Sequence, residues 1–141
     1  MLPLRYAARW RAASIFLLLG VLAGALMPAV WFWGDRAGFL SWFVNVDKWL
    51  HAATFAFLAV WFGGQYRANR YWRIGVGLLL FGMLIEVCQR MVTYRSAEWF
   101  DLVADAAGIA VGLLIGHVWL AGWCLRFEAW CSRADTGDGI D

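Results

Sequence analysis

Residues 73–93 read RIGVGLLLFGMLIEVCQRMVT, an apolar run of membrane-spanning length with a carboxylate, Glu86, set deep inside it. A bilayer core is about 30 Å thick and a helix rises about 1.5 Å per residue, so a span needs about 20 apolar residues. The run meets that length. A carboxylate within it costs roughly 2.5–3.5 kcal/mol on insertion scales unless it is paired or wet, so its retention points to a site. Working outward, similar runs occupy residues 12–33, 48–66 and 101–124. Asp47, Lys48, His51, Gln89, Arg90, Arg95, Asp101 and Asp105 all fall where these runs begin or end.

The four runs consume most of the 141 residues, of which 63% are hydrophobic and 16% charged. The mean hydropathy is +0.62. This composition excludes an ordinary soluble domain and leaves no room for a large extramembrane core. The expectation is one all-α domain over residues 1–141, a four-helix transmembrane bundle. Residues 126–141 form a flexible tail after one interfacial turn around Arg126, Phe127 and Trp130. The N-terminal run is read as a retained span rather than a signal peptide, because it continues to Trp33, beyond the usual core of about 7–15 residues.

Charge gives orientation. Eight basic residues (Arg5, Arg9, Arg11, Arg67, Arg70, Arg73, Arg126, Arg133) fall on the side of the termini and four (Arg36, Lys48, Arg90, Arg95) on the other. The positive-inside rule then places both termini in the cytoplasm, as an even number of spans requires. The eleven Trp sort into two interfacial belts: Trp31, Trp33, Trp42, Trp49 and Trp99 outside, and Trp10, Trp61, Trp72, Trp119, Trp123 and Trp130 inside. A net charge of +2, with the basic residues spread over loops, speaks against nucleic-acid binding. The three cysteines, Cys88, Cys124 and Cys131, do not form a disulfide framework.

Helical spacing sharpens the outer cluster. Asp47, Lys48, His51 and Phe55 share a face of the second run, and Glu86, Gln89 and Arg90 occupy adjoining positions on the third. On the fourth, Asp101, Asp105, Gly108, Gly112 and Gly116 form a stripe that is polar at its outer end and bare beyond it. Gly20 and Gly24 make a similar small-residue pair in the first run. Such stripes let helix backbones approach closely and are read as packing sites, either for self-association or for a partner membrane protein. The antiparallel order brings His51, Glu86 and Asp105 to one side, with Lys48, Arg90 and Arg95 above them. Asp47 and Asp101 are equally explained as helix-end carboxylates. His117 lies almost a full membrane thickness away and is left out.

The elements Asp47-Lys48-x-x-His51 with Phe55, Glu86-x-x-Gln89, Arg95 and the stretch from Asp101 to Gly112 resemble the VanZ-like family of small bacterial membrane proteins. The resemblance covers about residues 14–120. It implies a multi-pass protein of the bacterial cytoplasmic membrane with a cell-envelope role. The family's namesake is associated with low-level teicoplanin resistance, and most members have no assigned reaction. The family usually has Asn where this chain has Asp105, so this pocket is more acidic or needs a compensating partner.

Two functions follow as expectations. In one, the outer pocket binds a membrane lipid headgroup, a lipid-linked wall precursor or an amphiphilic antibiotic. In the other, His51 is the general base of a membrane enzyme, with Glu86 or Asp105 tuning it. The clustered acids are also able to bind a divalent cation. Against both, no recognised catalytic motif, no His pair at ligand spacing and no nucleophile beside His51 is present, so neither a metal nor a cofactor is expected. A proton-coupled transporter relaying through Glu86 ranks last.

Overall fold

The structure, a computed structural model, describes residues 1–27, 46–91 and 99–137. Four long helices follow one another: α1 (Ala7–Leu26), α2 (Val46–Gly63), α3 (Tyr71–Arg90) and α4 (Trp99–Val118). A shorter α5 (Trp123–Gly137) follows, and a 3-10 turn (Ala68–Arg70) leads into α3. Three helical segments, Ala7–Leu26, Ala68–Arg90 and Trp99–Val118, are long and apolar enough to cross a membrane. Large apolar side chains such as Phe16, Leu80 and Leu114 point outward from them, as they do on a chain whose surroundings are hydrocarbon.

The expected second span at 48–66 falls outside that set. The helix there, α2, has 18 residues, and Asp47, Lys48 and His51 near its start dilute a short apolar stretch. Phe55, Leu58 and Ala59 of α2 are at most 1% exposed, whereas Trp49, Leu50 and Phe57 are each more than half exposed. The core gathers Phe55, Leu58 and Ala59 with Leu78 and Ile85 of α3 and Ile109 of α4. Leu17, Leu18, Val21, Leu22 and Ala25 of α1 lie against it.

α2 and α4 form the most extensive helix pair. A Cβ at Gly108 would collide with the Ala52 carbonyl, and one at Gly112 with the Ala56 carbonyl. The constant offset of these two contacts means that α2 and α4 run parallel, backbone against backbone, which only a residue without a side chain permits. Gly116 is not part of this close approach, since its nearest neighbour, the Tyr71 hydroxyl, lies 4.0 Å from a Cβ built there. Gly20 and Gly24, expected to pack against a helix of another copy or of a partner, meet no other helix among the described residues of this chain. A Cβ at either would meet nothing within 4 Å.

The fourth helix stops at Val118, short of the expected 124. The Leu120 N–H closes back on the Ile115 carbonyl at 3.2 Å. Gly122 then takes a left-handed φ of 64°, where a side chain is strained. Its carbonyl accepts from the Leu125 N–H at 3.0 Å, and a new helix starts. α5 therefore replaces the expected single turn and flexible tail through Gly137. The N-terminal segment is tied in as well, with the Leu2 N–H bonded to the Gln65 carbonyl at 2.8 Å.

Candidate functional site

The helix faces that build the core become polar at one end. On α3 the buried positions are Leu78, Gly82, Ile85, Glu86 and Gln89, and on α4 they are Asp101, Asp105, Gly108, Ile109, Gly112 and Gly116. Each follows the helical repeat. Continuing the repeat toward the ends that share His51 carries the carboxylates inward rather than out to lipid.

There His51 Nδ1 lies 2.9 Å from Asp105 Oδ1. Asp105 is fully buried and His51 is 8% exposed. With Asp105 ionised its carboxylate can only accept, which places the proton on Nδ1 of the imidazole. One oxygen each from Glu86 and Asp101 and one ring nitrogen of His51 lie within 4.8 Å of one another. Lys48 Nζ stands 3.7 Å from Asp101 Oδ1, a long ion pair in which the lysine is 28% and the aspartate 3% exposed.

Two buried carboxylate oxygens in this cluster, Glu86 Oε1 and Asp105 Oδ2, have no hydrogen-bond partner among the described residues. Asp105 Oδ2 faces Gly82 so closely that a Cβ there would sit 2.5 Å from it. Leaving a buried charged oxygen unmatched costs several kcal/mol, so these atoms call for a counterion, a proton or a ligand.

Other expected residues take different places. The Gln89 amide donates to the Ala25 carbonyl at 3.1 Å, tying α3 to α1 rather than pointing into the acidic cluster. Arg90 stacks its guanidinium 5.6 Å from the Trp99 ring centroid, and both border a cavity of about 90 Å³ that also touches Glu86. Asp47 lies in the first turn of α2, but its side chain falls outside the described residues, as does Arg95 entirely. A second groove, about 280 Å³, opens between α1 and α2. Val21, Gly24, Ala25, Leu50, Phe55 and Ile85 make it apolar, and His51 and Thr54 are its polar members.

The opposite end of the helices holds a polar network that sequence reasoning did not single out. Ser14 Oγ donates to the Trp10 carbonyl at 2.9 Å and accepts from Trp61 Nε1 at 2.9 Å and from Gln65 Nε2 at 3.1 Å. The rings of Trp10, Trp61 and Trp123 meet at centroid distances of 5.5–5.7 Å. They form a cluster rather than a belt facing lipid. Trp123 fits because Gly64 has no side chain where the indole lies, and its Nε1 reaches the Val60 carbonyl at 3.2 Å.

Glu128 of α5 accepts from the backbone of Arg5 at 2.8 Å, from that of Tyr6 at 3.0 Å and from Trp10 Nε1 at 2.9 Å, placing a carboxylate at the start of α1. Burial acts to raise its carboxyl, but those donors and the Arg5 charge hold it below the usual carboxylate value. Burial and the nearby Glu128 charge push the Cys124 thiol up to about 12. The one sequence signal for this end was Glu128 itself, an isolated acid among apolar and basic residues.

Compared with family models, curated proteins and solved structures, the chain matches none.

Proposed function

We propose that this chain is a VanZ-like protein of the bacterial cytoplasmic membrane, with four spans, both termini cytoplasmic and a pocket at the outer end that binds an amphiphile. The observation that carries the reading is the apolar groove between α1 and α2 lined by His51, whose ring contacts Asp105 and has a nitrogen within 4.8 Å of a Glu86 oxygen. An acyl or isoprenyl chain fits the groove, and a polar headgroup then meets His51 with Lys48 at the rim. Ligand sites commonly combine an apolar wall with a few convergent polar groups, and ionisable residues at membrane depth mark functional sites by default. The asymmetry of Lys and Arg supports the orientation, and the exposed apolar side chains of α2, Trp49, Leu50 and Phe57, support counting it as a span.

A lipid headgroup is favoured over a wall precursor or an amphiphilic antibiotic such as teicoplanin because the groove, about 280 Å³, is too small for a bulky glycopeptide. The test is titration of phosphatidylglycerol into phosphatidylcholine nanodiscs carrying the protein, followed by Trp fluorescence. The expected outcome is saturable binding weakened about tenfold or more by His51→Ala or Lys48→Ala, corresponding to at least about 1.4 kcal/mol. Equal binding by all three proteins would remove the reading.

The His51–Asp105 contact favours one further reading, a membrane enzyme in which Asp105 orients His51 as general base toward a headgroup hydroxyl or water. Lipid mass spectrometry of cells expressing the protein or its His51→Ala variant separates the two. A new lipid species that depends on His51 supports the enzyme, and identical lipid profiles leave a binder.

A further inference from the structure

We infer that His51, Glu86 and Asp101 hold a divalent cation of the zinc or manganese kind. The inference rests on reading this end of the helices as a ligand pocket, and adds an ion to it. Three independent observations point there.

First, one donor atom from each residue lies within 4.8 Å of the other two. Metal–ligand bonds of about 2.0–2.2 Å put donors roughly 3.3 Å apart, so modest side-chain rotation closes the set. Second, Glu86 is 8% exposed and its Oε1 has no hydrogen-bond partner among the described residues, so it is a buried donor atom open to an ion. Third, Asp105 engages His51 Nδ1 at 2.9 Å. Metal-binding histidines almost always carry such a carboxylate on the nitrogen that does not ligate, which fixes the ring and raises its basicity. That contact makes Nε2 the ligating atom.

Charge favours a cation. The carboxyl groups of Glu86, Asp101 and Asp105 gather here, and Lys48 stands 3.7 Å from Asp101. The partly exposed lysine can swing outward when Asp101 turns to the ion. Arg90 stacks on Trp99 and also acts electrostatically on Glu86 from the cavity they share. The chemistry of the donors narrows the ion: an imidazole disfavours magnesium and calcium, and the absence of a thiolate from the set disfavours copper(I).

The experiment uses the full chain in phosphatidylcholine nanodiscs, stripped with EDTA and equilibrated with zinc or manganese alone, with bound metal counted by mass spectrometry. About one ion per chain is expected. His51→Ala and Glu86→Gln lower the affinity about 100-fold or more, whereas Asp105→Asn lowers it about 10- to 100-fold and keeps the stoichiometry at saturating metal. Gly20→Ala, which meets nothing within 4 Å, binds like the parent. Near-ultraviolet circular dichroism of the Trp10, Trp61 and Trp123 cluster shows which variants are folded, and Glu86→Gln, which keeps the side-chain volume, decides if His51→Ala does not fold. Substoichiometric metal, or equal uptake by the parent and Glu86→Gln, overturns the site. Phosphatidylglycerol is titrated in parallel, with and without EDTA. Metal uptake without phosphatidylglycerol binding upholds the ion site while removing the headgroup reading. Phosphatidylglycerol binding without metal uptake overturns the ion site and leaves the headgroup reading standing.

Discussion

The two ends of the helices handle buried polarity in opposite ways. At the Gln65 end the groups are matched: Ser14 serves Trp10, Trp61 and Gln65 at 2.9–3.1 Å, and the acid Glu128 receives three donors. At the His51 end three carboxylates crowd together, and Glu86 Oε1 and Asp105 Oδ2 lack hydrogen-bond partners among the described residues. Matched polar groups stabilise and rigidify a fold, while unmatched charges strain it. The first end holds the molecule together; the second is kept at a cost in stability, which argues that it meets something else.

This contrast can be broken in several ways. The largest effect is expected in the seam that joins the two ends. Gly112→Leu drives a side chain into the Ala56 carbonyl, and its cost should be about 3 kcal/mol or more in detergent unfolding, or outright loss of the folded protein. A stable, normally folded variant would mean that α2 and α4 do not touch along this line.

Next come paired substitutions with opposite signs. Ser14→Ala strands the Trp61 and Gln65 donors and should cost about 1–3 kcal/mol. Glu86→Gln removes an unmatched buried charge while keeping volume and should leave stability equal or raised, yet weaken ligand binding. Comparable losses from both would erase the distinction between the ends.

The smallest effect concerns Glu128. Its folded carboxyl titrates below the unfolded one, so its contribution is fully present above about pH 4.5 and is lost as pH falls through the lower folded value. Removing the acceptor by Glu128→Ala should cost about 1 kcal/mol at pH 7 and flatten the acid limb of the stability profile. An unchanged acid limb would show that the contacts to Arg5, Tyr6 and Trp10 do not form.

Much of the fold was legible in residue patterns, because a long apolar run has few other physical uses. The convergence of α2, α3 and α4 was also readable, since His51, Glu86, Asp101 and Asp105 each continue a buried helical face. The use of the Gly stripe was half legible. Small spacing announces close approach but does not name the neighbour: Gly108 and Gly112 meet α2, whereas Gly20 and Gly24 meet nothing among the described residues of this chain. Gln89 was misplaced because spacing fixes the face of a helix but not how far a flexible amide reaches, here to the Ala25 carbonyl. The end of α4 was overrun because Trp119, Leu120 and Ala121 are as apolar as the span before them. The stop depends on a backbone turn at Gly122 that hydropathy does not register. The Ser14 network escaped notice because a single serine in an apolar run is ordinary, and its partners come from a distant helix.

The central claim is that charges from different helices share one pocket. A double-mutant cycle in unfolding free energy between Glu86→Gln and Asp101→Asn tests it without knowledge of any ligand. Their carboxylates lie within 4.8 Å, so each substitution relieves the same repulsion and the double variant should gain less than the sum of the singles, with a coupling of about 0.5 kcal/mol or more. Additivity within about 0.3 kcal/mol would place the two charges apart and contradict the account.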